Sequence, residues 1–313
     1  MSWPLVHVLL GGAASALFYL AATLGTPGAL IFAYLTQLPL FAVGLSQGAM
    51  NAAVAGAIAA ALLILAESGL FSVVFILLNA APVWWLCRLA LQEGTAPDGS
   101  RIWYPPGLLV VWLTGLAVMV MTAAYLYFGV ADGGLPGAIE RFLRFGLGQM
   151  VTAPEAQIDS VVRMVAPIFP GVLLMSWMLM TVVNGALAQG VLVRFSRNLR
   201  PTPRIADIDL PRWALIPMAI GLALAVVIGG PLGHYGTNLS LVLCLPFFFL
   251  GLAVVHAFAR RRALRWPILV GIYALVIVFG WPAAVLVILG FVEQWAGIRQ
   301  RLGGAPPPAD RES

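Results

Sequence analysis

The chain has 313 residues, of which 61% are hydrophobic and only 9% charged, and its mean hydropathy is +0.97. So little charge cannot coat a soluble domain of this size, whereas lipid solvates the outside of a transmembrane bundle, so the composition excludes a soluble globular protein and assigns an integral membrane one. The net charge of +5 comes from 17 basic residues, all arginine, against 12 acidic ones, and because these arginines flank apolar runs they read as membrane anchors, with no nucleic-acid partner.

Met1-Ser2-Trp3-Pro4 lacks the basic stretch that opens a cleavable signal peptide, so the first apolar run is expected to be a retained span. Crossing the hydrocarbon core takes about 20 apolar residues in a helix. Stretches 5–24, 47–66, 69–91, 107–130, 166–193 and 235–258 qualify readily, and the shorter 29–45 and 213–230 also qualify. Stretch 267–297 is long for one span and short for two; Gly280-Trp281-Pro282 interrupts it, which predicts a tight hairpin of two short helices. The expected fold is therefore all-α, a polytopic transmembrane helix bundle of about ten hydrophobic segments, with nine as the alternative. Residues 1–302 form one integral membrane domain, and the polar, Pro-rich stretch 303–313 is a disordered cytoplasmic tail.

Charge fixes the orientation. Threading the spans from an inside N-terminus puts Arg88 and Arg101 on one face of the membrane, together with Arg194, Arg197, Arg200, Arg204 and Arg212. Arg260, Arg261, Arg262 and Arg265 fall on that same face, and splitting the last stretch adds Arg299, Arg301 and Arg311. The positive-inside rule then places both termini in the cytoplasm. Trp3, Trp84, Trp85, Trp103, Trp213, Trp266, Trp281 and Trp295 fall near segment ends, where amphipathic rings favour the headgroup region, while Trp112 and Trp177 lie deeper and pack on neighbouring helices.

The gap 132–165 differs from the others, with four acids and three arginines on the outer side. Ile139, Phe142, Leu143, Leu147 and Met150 recur at helical spacing opposite Glu140, Arg141 and Arg144. Thr152-Ala153-Pro154-Glu155 reads as a capping box, followed by an Ile158, Val161, Val162, Val165 stripe. Two short amphipathic helices lying on the membrane surface are expected, placed to roof the bundle or simply to link its spans.

Groups that titrate or attack are scarce. Cys87 and Cys244 are far apart and read as small apolar residues; His7, His234 (in an outer Gly-Pro turn) and His256 have no neighbouring ligand or base; no hydrolase, metalloprotease or phosphate-loop motif occurs. No enzyme activity, cofactor or metal is expected. Glu67 is expected in the outer interface, and Glu293 as an interfacial carboxylate pairing nearby, with Arg299 six residues on. A bundle so bare of buried acids does not read as an ion-coupled pump.

The spans do carry neutral polar groups. Amides facing lipid would leave donors and acceptors unsatisfied, so they are expected to point inward, either as hydrogen-bonding glue between helices or as the lining of a small-molecule pocket. Gln37, Asn51, Asn79 and Asn184 are the candidate ligand-binding residues. Gly11 to Ala16 and Asn51 to Ala61 give the first and third spans smooth Ala/Gly faces, fit for close helix packing inside the bundle or against a membrane-protein partner. The function expected is solute capture for a transporter; the alternative is a scaffold or assembly protein acting through those faces.

The order of features in the first 92 residues, from the Pro-interrupted helix ending Gly44-Leu45-Ser46-Gln47-Gly48 to the helix with Asn79-Ala80-Ala81-Pro82, resembles the substrate-binding S-components of energy-coupling-factor transporters. Pro170-Gly171 leading through Asn184 to Arg194-Phe195, and Leu289-Gly290-Phe291-Val292-Glu293-Gln294-Trp295 with Arg299, resemble the YybS-like family of bacterial membrane proteins. The resemblances imply an S-component-like bundle of six helices over 1–193, with additional spans over 213–298.

Overall fold

A computed structural model describes residues 3–24, 26–66, 69–129, 133–150, 154–260, 262 and 264–303. Glu67, the Thr152-Ala153 half of the expected capping box, Arg261 and the tail from residue 304 lie outside them, as does the side chain of Trp3. The helices are α1 (Trp3–Ala21), α2 (Pro27–Tyr34), α3 (Leu38–Gln47), α4 (Ala49–Ala66), α5 (Gly69–Phe75), α6 (Ala81–Ala90), α7 (Pro106–Phe128), α8 (Gly134–Met150), α9 (Glu155–Val165), α10 (Phe169–Arg194), α11 (Leu215–Ala223), α12 (Gly230–Ala259), α13 (Arg265–Phe279), α14 (Pro282–Ala296) and α15 (Ile298–Gly303). Among the described residues, seven helical stretches are long and apolar enough to cross a membrane: Leu5–Leu24, Gly28–Gln47, Ala49–Ala66, Gly69–Ala90, Pro106–Phe128, Phe169–Arg194 and Gly230–Ala259. Arg212–Ile228, Arg265–Phe279 and Pro282–Ala296 are apolar but shorter.

The chain groups into two compact units, one of residues 1–113 and 177–203, the other of 114–176 and 204–313, with the divisions falling inside α7 and α10. The expected parts 1–193 and 213–298 do not coincide with them, since 114–176 groups with the C-terminal helices.

In the first unit, small residues set the helix spacing. A Cβ on Gly12 would stand 2.6 Å from the Ala55 carbonyl oxygen, and one on Gly11 would stand 2.6 Å from Val43. Ala52, Ala55, Ala59 and Ala60 are buried on the facing side of α4. The Ala/Gly faces of the first and third spans therefore pack inside the unit, where close backbone approach maximises dispersion contacts that lipid cannot rival.

One part of the unit departs from the all-α expectation. Strands β1 (Glu93–Thr95) and β2 (Arg101–Trp103) pair antiparallel across the gap after α6, with Glu93 opposite Trp103. The turn chemistry of Ala96-Pro97-Asp98-Gly99-Ser100 explains it: Gly99 takes φ 81°, and Asp98 Oδ1 accepts from the Ser100 N–H at 2.9 Å and Oγ at 2.7 Å. Those two hydrogen bonds hold the Asp98 carboxyl below its ordinary value.

The second unit is built around α12, whose flank is occupied by α14. Phe247 and Phe291 stack with centroids 4.0 Å apart, and Gly251 and Gly290 lie directly on the Leu286 and Phe247 carbonyls. Gly280 at φ 69° ends α13 and lets Pro282 open α14, which is the expected break of the last stretch into two short helices. His234 is in the first turns of α12 instead of the expected outer turn: the helix begins at Gly230 with Pro231 in its first turn, where a missing N–H costs nothing. Helices α8 and α9 pack through Leu135, Ile139, Val162 and Ala166 against Tyr125, Phe128 and Phe169. Of the expected apolar stripe, Ile139, Leu143 and Leu147 pack inward, joined by Leu135, while Phe142 is 63% exposed. Helix α9 starts at Glu155 with Pro154 as its N-cap, and Arg144 pairs with Asp159 between the two helices.

Candidate functional site

Two prolines determine where the first unit exposes backbone inside itself. Pro82 has no N–H to give the carbonyl four residues back, that of Leu78. The chain answers with a wide turn over Ile76–Ala80, in which the Ala81 N–H reaches the Ile76 carbonyl. The Leu78 oxygen instead accepts from two side chains, Trp177 Nε1 at 2.7 Å and Gln37 Nε2 at 3.0 Å.

Pro39 has the matching effect two spans earlier. The helix breaks over Leu35, Thr36 and Gln37, and the Tyr34 carbonyl accepts from Asn184 Nδ2 at 2.7 Å. The Thr36 carbonyl accepts from Ser15 Oγ at 2.7 Å. Asn184 Nδ2 also donates to the Met180 carbonyl at 2.8 Å, and Thr181 Oγ1 to that of Trp177 at 2.9 Å, so α10 presents Trp177, Thr181 and Asn184 as one polar stripe. Each break thus has donors aimed at its freed carbonyls.

This chemistry brings together Gln37 and Asn184, both nearly inaccessible to solvent, with Asn79 buried beside Leu78 in the wide turn. The remaining oxygens, Gln37 Oε1 and Asn184 Oδ1, are buried without a hydrogen-bond partner among the described residues. Leaving a buried acceptor unmet costs about 1–3 kcal/mol. Asn51 is elsewhere: it is half-buried in the first turn of α4 and donates to the Gln47 carbonyl at 2.7 Å. Trp177 has no place among the four candidate residues because an indole reads as packing; the N–H partner it needs when buried was the available signal.

At one end of this unit the start of α1, the ends of α3 and α10, and the hairpin loop converge, and the arginines gather there. Arg200, 5% exposed, donates from Nη1 to the Ala90 carbonyl at 2.7 Å and stacks over Trp103, and burial pulls its guanidinium below its ordinary value. A groove of about 910 Å³ lies between α1, α3 and the stretch 192–197, with His7, Ser46, Gln47 and Arg197 among its lining.

The second unit holds a cluster for which the residue pattern gave no warning, because its paired members stand 67 to 113 positions apart. Tyr125 Oη lies 2.5 Å from His234 Nδ1, and Thr122 Oγ1 lies 2.9 Å from Tyr235 Oη. Asn238 Nδ2 donates to the Pro167 carbonyl at 2.9 Å, while its Oδ1 accepts the Gly171 N–H at 2.7 Å. One amide from α12 thereby caps the first turn of α10, whose own orphan N–H groups would otherwise be buried unmet. Glu293 pairs with Arg299 as expected, at 2.7 Å between Oε1 and Nε. No cluster of three metal-ligating side chains occurs among the described residues.

Comparison with known proteins is sparse: no curated protein and no solved structure matches the chain. One family model does, over residues 13–293, and its description is predicted membrane protein (DUF2232). That match covers both units, every amide described above and the Glu293 end of α14, so the chain belongs to this family of predicted membrane proteins, DUF2232.

Proposed function

We propose that the protein captures a small neutral solute within its first unit and serves as the substrate-binding part of a transporter. The observation that carries this reading is the pair of buried, unpartnered amide oxygens, Gln37 Oε1 and Asn184 Oδ1, flanking a broken span. A solute bringing N–H or O–H donors would relieve both at once, whereas helix-packing amides gain most when both ends are bonded. Asn79 is the third residue assigned to this site. Asn51, which serves the α3–α4 turn, is left out of it.

The order of features shared with energy-coupling-factor S-components supports the same reading, with the first unit as the capture part. The three shorter apolar helices would complete ten spans in a bacterial inner membrane, with the arginine-rich ends and both termini in the cytoplasm. The scaffold alternative has less to stand on, because the small-residue faces of α1 and α4 already bury each other.

Native mass spectrometry of the protein released from mild detergent tests the proposal. A stoichiometric small molecule is expected, and it should be lost from the double variant Gln37→Ala, Asn184→Ala while that variant keeps its unfolding midpoint within a few degrees. Retention of the same molecule by a folded double variant would overturn the assignment.

A further inference from the structure

The groove at the arginine-rich end is graded along its length. On α3 its lining recurs at Pro39, Ala42, Val43, Ser46 and Gln47, the spacing of one helix face, and it passes from apolar to polar in that order. At 1.5 Å per residue, Pro39 to Gln47 spans roughly 12 Å. On α1 the same order runs from Leu10 to His7, and Arg197 stands at the polar mouth. A groove with a cation at one end and, within its roughly 12 Å, an apolar wall of about 6 Å from Pro39 to Val43 fits an amphiphile with an anionic head and the upper part of a hydrocarbon chain.

Three further observations narrow the head. Arg197 is exposed and has no carboxylate within ion-pair distance among the described residues. Gln47 Oε1 is buried without a hydrogen-bond partner, so it calls for a donor. Ser46 Oγ donates to the Ala42 carbonyl at 2.6 Å, which leaves its lone pairs, too, facing a donor. The head must therefore combine negative charge for Arg197 with hydroxyl donors for Gln47 and Ser46.

We propose that this groove is a specific site for one anionic glycerophospholipid whose head carries free hydroxyls, phosphatidylglycerol being the simplest example. The phosphate sits against Arg197, the hydroxyls against Gln47, and one acyl chain runs down past Val43 towards Pro39. A choline head supplies the same phosphate but no donor and no net charge, so it is rejected. The lipid of the surrounding bilayer is the occupant, held at the end of the unit that carries its arginines. This site shares no residue with Gln37, Asn79 and Asn184, and it stands whether or not a solute binds there.

The test is native mass spectrometry of the full chain in mild detergent, with phosphatidylglycerol or phosphatidylcholine added at equal concentration. One phosphatidylglycerol is expected to survive activation, with phosphatidylcholine retained about tenfold less, because a choline head leaves the buried Gln47 oxygen without a donor. Arg197→Gln should reduce phosphatidylglycerol retention about tenfold, and Leu10→Asn, at an exposed position in the apolar wall, should also weaken it. Arg194→Gln, outside the groove lining, should leave it unchanged. Equal retention of the two lipids would overturn the proposal, as would an Arg194→Gln loss matching that of Arg197→Gln. Complete displacement by inorganic phosphate alone would also overturn it, since the ligand would then be a free anion. Melting of each variant in the same detergent separates lost binding from lost fold.

Discussion

Gln37 and Trp177 donate to one oxygen, the Leu78 carbonyl, which Pro82 leaves without an intrahelical donor. Because either donor alone still satisfies that oxygen, their removal should not be additive. Gln37→Leu or Trp177→Phe alone is expected to cost about 1 kcal/mol or less, near the average for hydrogen bonds between membrane helices. Together they should cost about 1–2 kcal/mol more than their sum, because a buried carbonyl is then unmet. A double-mutant cycle of unfolding in detergent measures the difference, and additivity would refute the shared-acceptor account. Pro82→Ala, by restoring an N–H at that position, should shrink the coupling.

Why was so much of this visible in the residues, and why did some of it stay hidden? Segment boundaries depend on runs of apolar residues, which are local, so the break at Gly280-Trp281-Pro282 and the burial of Gln37 and Asn184 could be anticipated from the chain alone. Two things could not. The hairpin at 93–103 needed weight on the Pro97-Asp98-Gly99 turn, which the surrounding charge pattern masked as a plain loop. The Tyr125, His234 and Asn238 cluster is assembled by tertiary contact between α7, the start of α10 and α12, and no local spacing encodes it. Asn51, whose amide bonds the Gln47 carbonyl, shows that residue type alone cannot tell a turn cap from a core amide.

Arg299 is held at the end of α14 by more than its ion pair. Its Nε meets Glu293 at 2.7 Å, its Nη1 donates to the Ala206 and Ile208 carbonyls at 2.9 and 2.7 Å, and its Nη2 meets Asp209 at 3.2 Å. The Glu293 side chain is 5% exposed and that of Asp209 80%, so the two carboxylates should differ sharply in weight. Glu293→Ala strands a mostly buried guanidinium and is expected to cost about 3–5 kcal/mol. Asp209→Ala removes an exposed partner and should cost less than about 1 kcal/mol. Unfolding of the two variants side by side checks the ratio; similar losses would mean that the carbonyl contacts, and not Glu293, hold the arginine.

The Asp98 carboxyl titrates below its ordinary value because Ser100 donates to its charged form. A depressed folded value means that the turn's contribution is present above the ordinary carboxyl range and lost as pH falls through the folded value. Ser100→Ala removes the side-chain donor, so the Asp98 titration should move up towards the ordinary range. Carboxyl-carbon chemical shifts followed against pH would show this, and an unmoved titration would assign the effect to the backbone N–H alone.

The crossing of α12 and α14 makes the sharpest demand on residue size. Any Cβ at Gly251 would overlap the Leu286 carbonyl, and any at Gly290 that of Phe247, so neither clash can be relieved by turning a flexible side chain. Backbone oxygens would have to move, which pulls apart the Phe247–Phe291 stack. Overpacking of this kind typically costs about 1–3 kcal/mol, and here it falls on the helix around which the second unit is built. Gly290→Ala and Gly251→Ala are each expected to lower the unfolding midpoint and the yield of folded protein. Gly271 in α13 has nothing within 4 Å of its would-be Cβ, so Gly271→Ala is the matched control and should be neutral or slightly stabilising, since alanine favours the helix. If Gly290→Ala behaved like Gly271→Ala, the close approach of the two helices would not be what holds this unit together.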